Sequence, residues 1–186
     1  MKIANLFAFV LLLAISSTSN AALILCGSSE RVAALGEATD CVTGSGNPGI
    51  SDINTGFAST TGWSSEGELT GDGSNGFLSA SLSIGSWGSS NIAGNWGIDS
   101  SFWDSYDQAV ISIHVGNGGG TPDYFAWLIG DGETSGVWFY TKLSGGGGGL
   151  SNIKLWGADQ PVPEPAIIGL FGLGLLGIGF ARRKKT

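Results

Sequence analysis

The sequence predicts an all-β domain, an antiparallel β-sandwich with a jelly-roll-like variant left open, set between two apolar terminal segments. Three observations carry that expectation. The chain has 33 glycines in 186 residues, together with abundant Ser, Asn and Asp, which suits many tight turns. Lys and Glu, which favour exposed helical positions, are scarce between residues 22 and 158. Within the same region, apolar and polar residues alternate in short runs, the period of a strand with one buried face.

Taken in order, the runs read as follows. "FLSASLSIG" sets Leu78, Ala80, Leu82 and Ile84 against Ser79, Ser81 and Ser83. "AVISIHV" sets Ile111, Ile113 and Val115 against Ser112 and His114, which places His114 on a solvated face. "DYFAWLIG" is apolar on both faces and reads as a central strand. "SGVWFYTKL" follows a turn containing Asp131-Gly132, and "LSNIKLWG" (150–157) closes the domain. Only "SSERVAALGEAT" (28–39) has the composition of a short helix. Glu66 and Glu68, two apart, share one solvated face if their segment is a strand. Residues 22–158 suffice for one domain of ordinary size, and no internal repeat stands out.

The first 21 residues have Lys2, an apolar run from Leu6 to Ile15, then small residues with Ser19 and Ala21 at positions −3 and −1 of a cleavage site. That layout is a signal peptide over 1–21. Between Ala22 and Pro165 three basic residues face fifteen acidic ones, a net −12. So acidic a surface repels phosphates, which excludes nucleic acid as a partner. Cys26 and Cys41 are the only cysteines. In an exported chain an even pair reads as a disulfide, two buried free thiols being the alternative.

At the other end, residues 159–165 form a Pro-containing linker, 166–181 an uncharged Gly-rich stretch and 182–186 a basic tail. As a helix, 166–181 would be about 24 Å long against a hydrocarbon core of about 30 Å. Arg182 and Arg183 could snorkel to make up the difference, and the basic cluster would stay cytoplasmic. A single transmembrane helix is therefore expected. Its glycines at 169, 172, 174, 177 and 179 lack the four-residue spacing of a helix-pairing face.

Pro163-Glu164-Pro165, the apolar helix and Arg182-Arg183-Lys184, in that order, resemble the PEP-CTERM sorting signal of Gram-negative bacteria. The resemblance covers both termini and implies that an exosortase-like membrane enzyme recognises Pro163, Glu164 and Pro165 and processes the chain nearby. It further implies an exported protein, held transiently in the inner membrane, then destined for the cell surface or extracellular matrix, with a non-catalytic interaction role in exopolysaccharide or biofilm. Two prolines without N–H groups keep such a segment extended and reachable.

The middle domain offers few candidates for chemistry. No G-x-S-x-G elbow surrounds a serine, and His114 is the lone histidine. No enzyme and no cofactor is expected. Trp87, Trp96 and Trp103 lie in polar stretches and could stack sugar rings, with half-buried core positions as the alternative. The turns around Asp72 and Asp131 offer oxygen ligands for calcium, weakly, because neither has the spacing of an EF-hand loop. The rival to the interaction role is a carbohydrate-binding module or glycan-active enzyme on the same sandwich; a permanently anchored receptor is a third.

Overall fold

The computed structural model describes residues 23–60, 62–116 and 118–159. Among them, eleven strands form two antiparallel sheets. The first sheet has the order β1 (Ile24–Gly27), β2 (Arg31–Leu35), β10 (Ser135–Lys142), β7 (Ile92–Ile98), β6 (Leu78–Ile84) and β5 (Gly73–Asn75). The second has the order β3 (Ala38–Gly44), β9 (Tyr124–Ile129), β8 (Gln108–His114), β11 (Asn152–Ala158) and β4 (Ser64–Leu69). The expected all-β sandwich of antiparallel strands is the fold observed. The signal peptide, the Pro-Glu-Pro segment, the membrane helix and the basic tail lie outside the described residues.

Alternation builds the core. Leu78, Ala80, Trp96, Ile98, Trp138 and Tyr140 turn inward from the first sheet and meet Ile111, Ile113, Phe125, Trp127, Ile153 and Leu155 of the second. The second sheet is buried on its other face as well, by α1 (Ile50–Gly56) and the turns around it. There Ile53, Phe57 and Trp63 cover Val110, Ala126, Trp156 and Ala158. The helix starts because the Asp52 carboxylate accepts the Gly49 N–H at 2.8 Å, holding the first turn closed.

That third layer corrects the placement of His114. It lies on the outward face of β8 as the alternation requires, yet it is buried, because a face of the sheet is not solvent once a helix covers it. Residues 28–39 are not helical either. They form β2, a tight turn with Glu37 at φ 62°, and the start of β3. Ala33, Ala34 and Leu35 are buried between β1 and β10, and ladder pairing on both sides outweighs the helical propensity of Ala and Leu. Glu66 and Glu68 do not form one solvated pair. A bulge opposite Leu155/Trp156 leaves Glu66 without a ladder partner. Glu66 then bonds Ser64 at 2.6 Å, while Glu68 stands opposite Lys154.

Both open sides of the sandwich are tied. Cys26 of β1 and Cys41 of β3 form the expected disulfide between the sheets. On the opposite side the Phe77 N–H donates to the Glu66 carbonyl at 3.1 Å. β1 enters the fold from the same pole by which β11 leaves it, since β1 runs parallel to β10 and β11 runs against β8. The far pole gathers the glycine loops 116–120 and 145–149.

Candidate functional site

The three tryptophans proposed to stack sugars do not share a surface. Trp96 is 2% exposed and faces the core, so no external ring can reach it. Trp87 is half-buried, and its indole donates to Asp72 Oδ1 at 2.7 Å. Trp103 is half-buried too; it donates to the Glu133 carbonyl at 3.1 Å and meets the Phe102 ring edge-on at 5.1 Å. One precedes β7 and the other follows it, so a strand of about 23 Å separates them.

The two cation candidates serve turns. Asp72 accepts both Trp87 Nε1 and the Leu82 N–H, which anchors the turn before β5. Asp131 is exposed in the β9–β10 connection, followed by Gly132 at φ 75°. Among the described residues no three His, Cys, Asp or Glu side chains converge.

The densest polar cluster is one that sequence reasoning missed. Arg31, at the start of β2, has a fully buried side chain. Its Nη1 donates to Asp123 Oδ1 at 3.0 Å and to the carbonyls of Pro122 at 2.9 Å and Gly116 at 3.2 Å. Nη2 donates to the Gly146 carbonyl at 3.2 Å. The second Asp123 oxygen accepts the Gly46 N–H at 2.9 Å. One guanidinium thus joins four chain segments, using its planar fork of donors. The signal was present in principle: Arg31 is the only arginine between residues 22 and 165.

The glycine loops make this junction possible. A Cβ on Gly118 would collide with the Gly147 backbone, and one on Gly148 would lie 2.8 Å from the Tyr140 hydroxyl. That hydroxyl donates to the Gly148 carbonyl at 2.8 Å. Glycine is therefore required by close approach here. An open cleft of about 490 Å³ lies beside the junction, lined by Glu30, Gly118, Gly119, Gly120, Thr121 and Asp123. Its carboxylates are engaged, since Glu30 Oε2 accepts the Thr121 N–H at 2.6 Å. The arrangement holds loops in place.

At the opposite pole Glu66 also bonds the Tyr106 hydroxyl, which raises the Tyr106 pKa above its ordinary value of 10.0. Phe77, Phe102 and Tyr106 close that end as an aromatic plug, with Phe102–Tyr106 centroids 4.8 Å apart. Asp99 caps the 3₁₀ turn 100–104 by accepting from Ser101, and its pKa is lowered by that bond.

The residues that carry an assignable role therefore lie outside the sandwich. Residues 161–185 match a family model described as the PEP-CTERM protein-sorting motif. They include Pro163, Glu164, Pro165, Arg182 and Arg183. A motif of this kind implies export and processing by an exosortase-type membrane enzyme. No curated protein and no solved structure is found to match this chain. Within the described residues no helix is long and apolar enough to cross a membrane.

Proposed function

We propose that this chain is a sorting substrate whose folded cargo is a non-catalytic interaction domain. The signal peptide carries it through the inner membrane, and residues 166–181 hold it there with the basic tail in the cytoplasm. An exosortase-type enzyme then processes it near Pro163-Glu164-Pro165. The domain ends at the cell surface or in the extracellular matrix, where it contacts exopolysaccharide.

The observation that carries the reading is the match of residues 161–185 to the sorting motif. Two features support it. The Cys26–Cys41 disulfide suits an oxidising compartment outside the cytoplasm. Asp123, Glu66 and Asp72 are engaged in ties and turns within the domain.

The test is the intact mass of the protein recovered from the surface and membranes of its native host. Loss of residues 1–21 and of everything beyond the 162–165 region is expected. A mass that still includes 171–186 would overturn processing and leave a permanently anchored protein. Binding of the mature domain to host exopolysaccharide, measured by co-sedimentation, tests the interaction role separately.

A further inference from the structure

The pole from which the chain leaves the domain is acidic throughout. It carries Glu37 in the β2–β3 turn, Asp99 and Asp104 around the 3₁₀ turn 100–104, Asp131 and Glu133 between β9 and β10, and Asp159 after β11. Hydrogen bonds join these segments into one surface. The Gly130 N–H donates to the Glu37 carbonyl at 2.8 Å, the Trp103 indole to the Glu133 carbonyl at 3.1 Å, and the Asp107 N–H to the Ala158 carbonyl at 3.2 Å. Asp99, Asp104, Asp131 and Asp159 are exposed, and no ion pair among the described residues neutralises them. The basic residues of the domain lie elsewhere, Arg31 and Lys142 at the far pole and Lys154 within β11. Among the described residues no three carboxylates converge, so the charge is spread over a face rather than gathered for one metal ion.

The chain is held firmly up to this pole. Ser64 Oγ donates to the Gly157 carbonyl at 3.3 Å, and Tyr106 covers Gly157 so closely that a Cβ there would come within 2.8 Å of its ring. The fold therefore persists to Ala158. Beyond Asp159, residues 160–165 are all that precede the apolar stretch starting at Ala166. Fully extended, those six residues reach at most about 22 Å. The lipid headgroup layer takes up about 5–8 Å of that length. Glu164, the middle of the sorting motif, lies no more than about 18 Å from Asp159.

A single helix with its side chains is about 10–12 Å thick. An enzyme that closes around Pro163-Glu164-Pro165 therefore meets the pole above it. Resting on the sorting reading, we propose that this acidic pole is the docking face for the exosortase-type enzyme, whose outward surface beside its active site is cationic. The length of the arm forces the contact, and charge selects its chemistry: a face of one sign is tolerated at contact only by a surface of the other. The short tether keeps the two at millimolar effective concentration, so a weak contact suffices.

The test is pulse-chase processing of the full chain in its native host, read by intact mass. Asp131→Lys should slow loss of the tail about tenfold. Ser29→Lys/Ser144→Lys, which changes the net charge equally at the far pole, should leave the rate unchanged. Asp104→Lys is the second pole variant if Asp131→Lys fails to fold. Inserting about ten Gly and Ser residues after Asp159 should restore the rate of the pole variant, because a longer flexible arm frees the enzyme from the pole. A folded pole variant that loses its tail at the wild-type rate would overturn the docking face while leaving processing intact. Equal slowing by the far-pole pair would do the same. So would slowing that survives the insertion, which would mark capture of the new lysine by lipid. A wild-type chain that keeps its tail would overturn the sorting reading and the docking face together.

Discussion

Trp96 lies over Gly136, the residue directly opposite it on β10, so closely that a Cβ there would come within 2.7 Å of the indole nitrogen. Two residues along, the roles reverse. Trp138 of β10 lies over Gly94 of β7, where a Cβ would sit 3.1 Å from its indole nitrogen. Two reciprocal tryptophan–glycine pairs therefore fill the centre of the first sheet, each glycine making room for the ring across the ladder.

Gly136→Ala should push Trp96 from its position and lower stability by about 1–3 kcal/mol, the usual range for overpacking. Gly94→Ala should do at least as much, because its Cβ would also meet the Ser81 carbonyl, which cannot rotate away. Denaturant unfolding followed by tryptophan fluorescence measures both.

Arg31→Met would leave Asp123 and the carbonyls of Gly116, Pro122 and Gly146 without their donor. Removing one partner of a buried ion pair typically costs about 3–5 kcal/mol. Arg31→Lys should recover little of it, since one ammonium cannot reproduce bonds made by two separate guanidinium nitrogens. Chemical denaturation midpoints for the two variants and for Asp123→Ala, all strongly lowered, are the expected result.

Reducing the Cys26–Cys41 disulfide releases a loop of 15 residues. On chain entropy alone this should lower stability by about 3 kcal/mol. Melting curves with and without reductant, repeated on Cys26→Ser/Cys41→Ser, should show the same drop in both comparisons.

The three tyrosines of the chain, Tyr106, Tyr124 and Tyr140, all have raised pKa values. For Tyr106 the leading cause is the Glu66 hydrogen bond; for Tyr124 and Tyr140 it is burial. A raised value means that the folded chain keeps a proton the unfolded chain has already lost. The stability this supplies is complete below pH 10 and disappears as pH rises through the folded values. Tyrosinate absorbance should therefore lag behind that of the unfolded chain, and unfolding midpoints should fall above pH 10. Glu66→Gln should bring the Tyr106 step back toward 10.

Where local pattern and tertiary environment agree, the strands can be read directly. "FLSASLSIG" and "DYFAWLIG" become β6 and β9 because Leu78, Ala80 and Leu82, and the apolar run of β9, are what the two sheets bury; Ile84, expected beside them, is 62% exposed because the register shifts after Leu82 and turns it outward. β2 escapes such a reading because Arg-Val-Ala-Ala-Leu is locally a good helix, and only long-range pairing makes it a strand. His114 falls on the expected face of β8, but whether that face meets water depends on α1, more than fifty residues away in sequence. The bulge that parts Glu66 from Glu68 is a matter of register, which a single strand does not encode. Trp96 sits among Gly and Asn, so composition points outward while pairing with β10 points inward. Arg31 is legible only as an oddity, the one arginine of an acidic domain. The sorting signal can be read from order and residue type alone, because its recognition elements follow one another along the chain.

β11 carries the chain out of the domain, and it is not an edge strand. It is paired along one side with β8 and along the other with β4. A pull applied beyond Asp159, by whatever holds this protein in place, runs along the strand and loads both ladders in shear. Their hydrogen bonds then resist together, whereas an edge strand peeled from its end would give them up one by one. Anchored by an interior strand, the domain should withstand tension at the very point where it is attached.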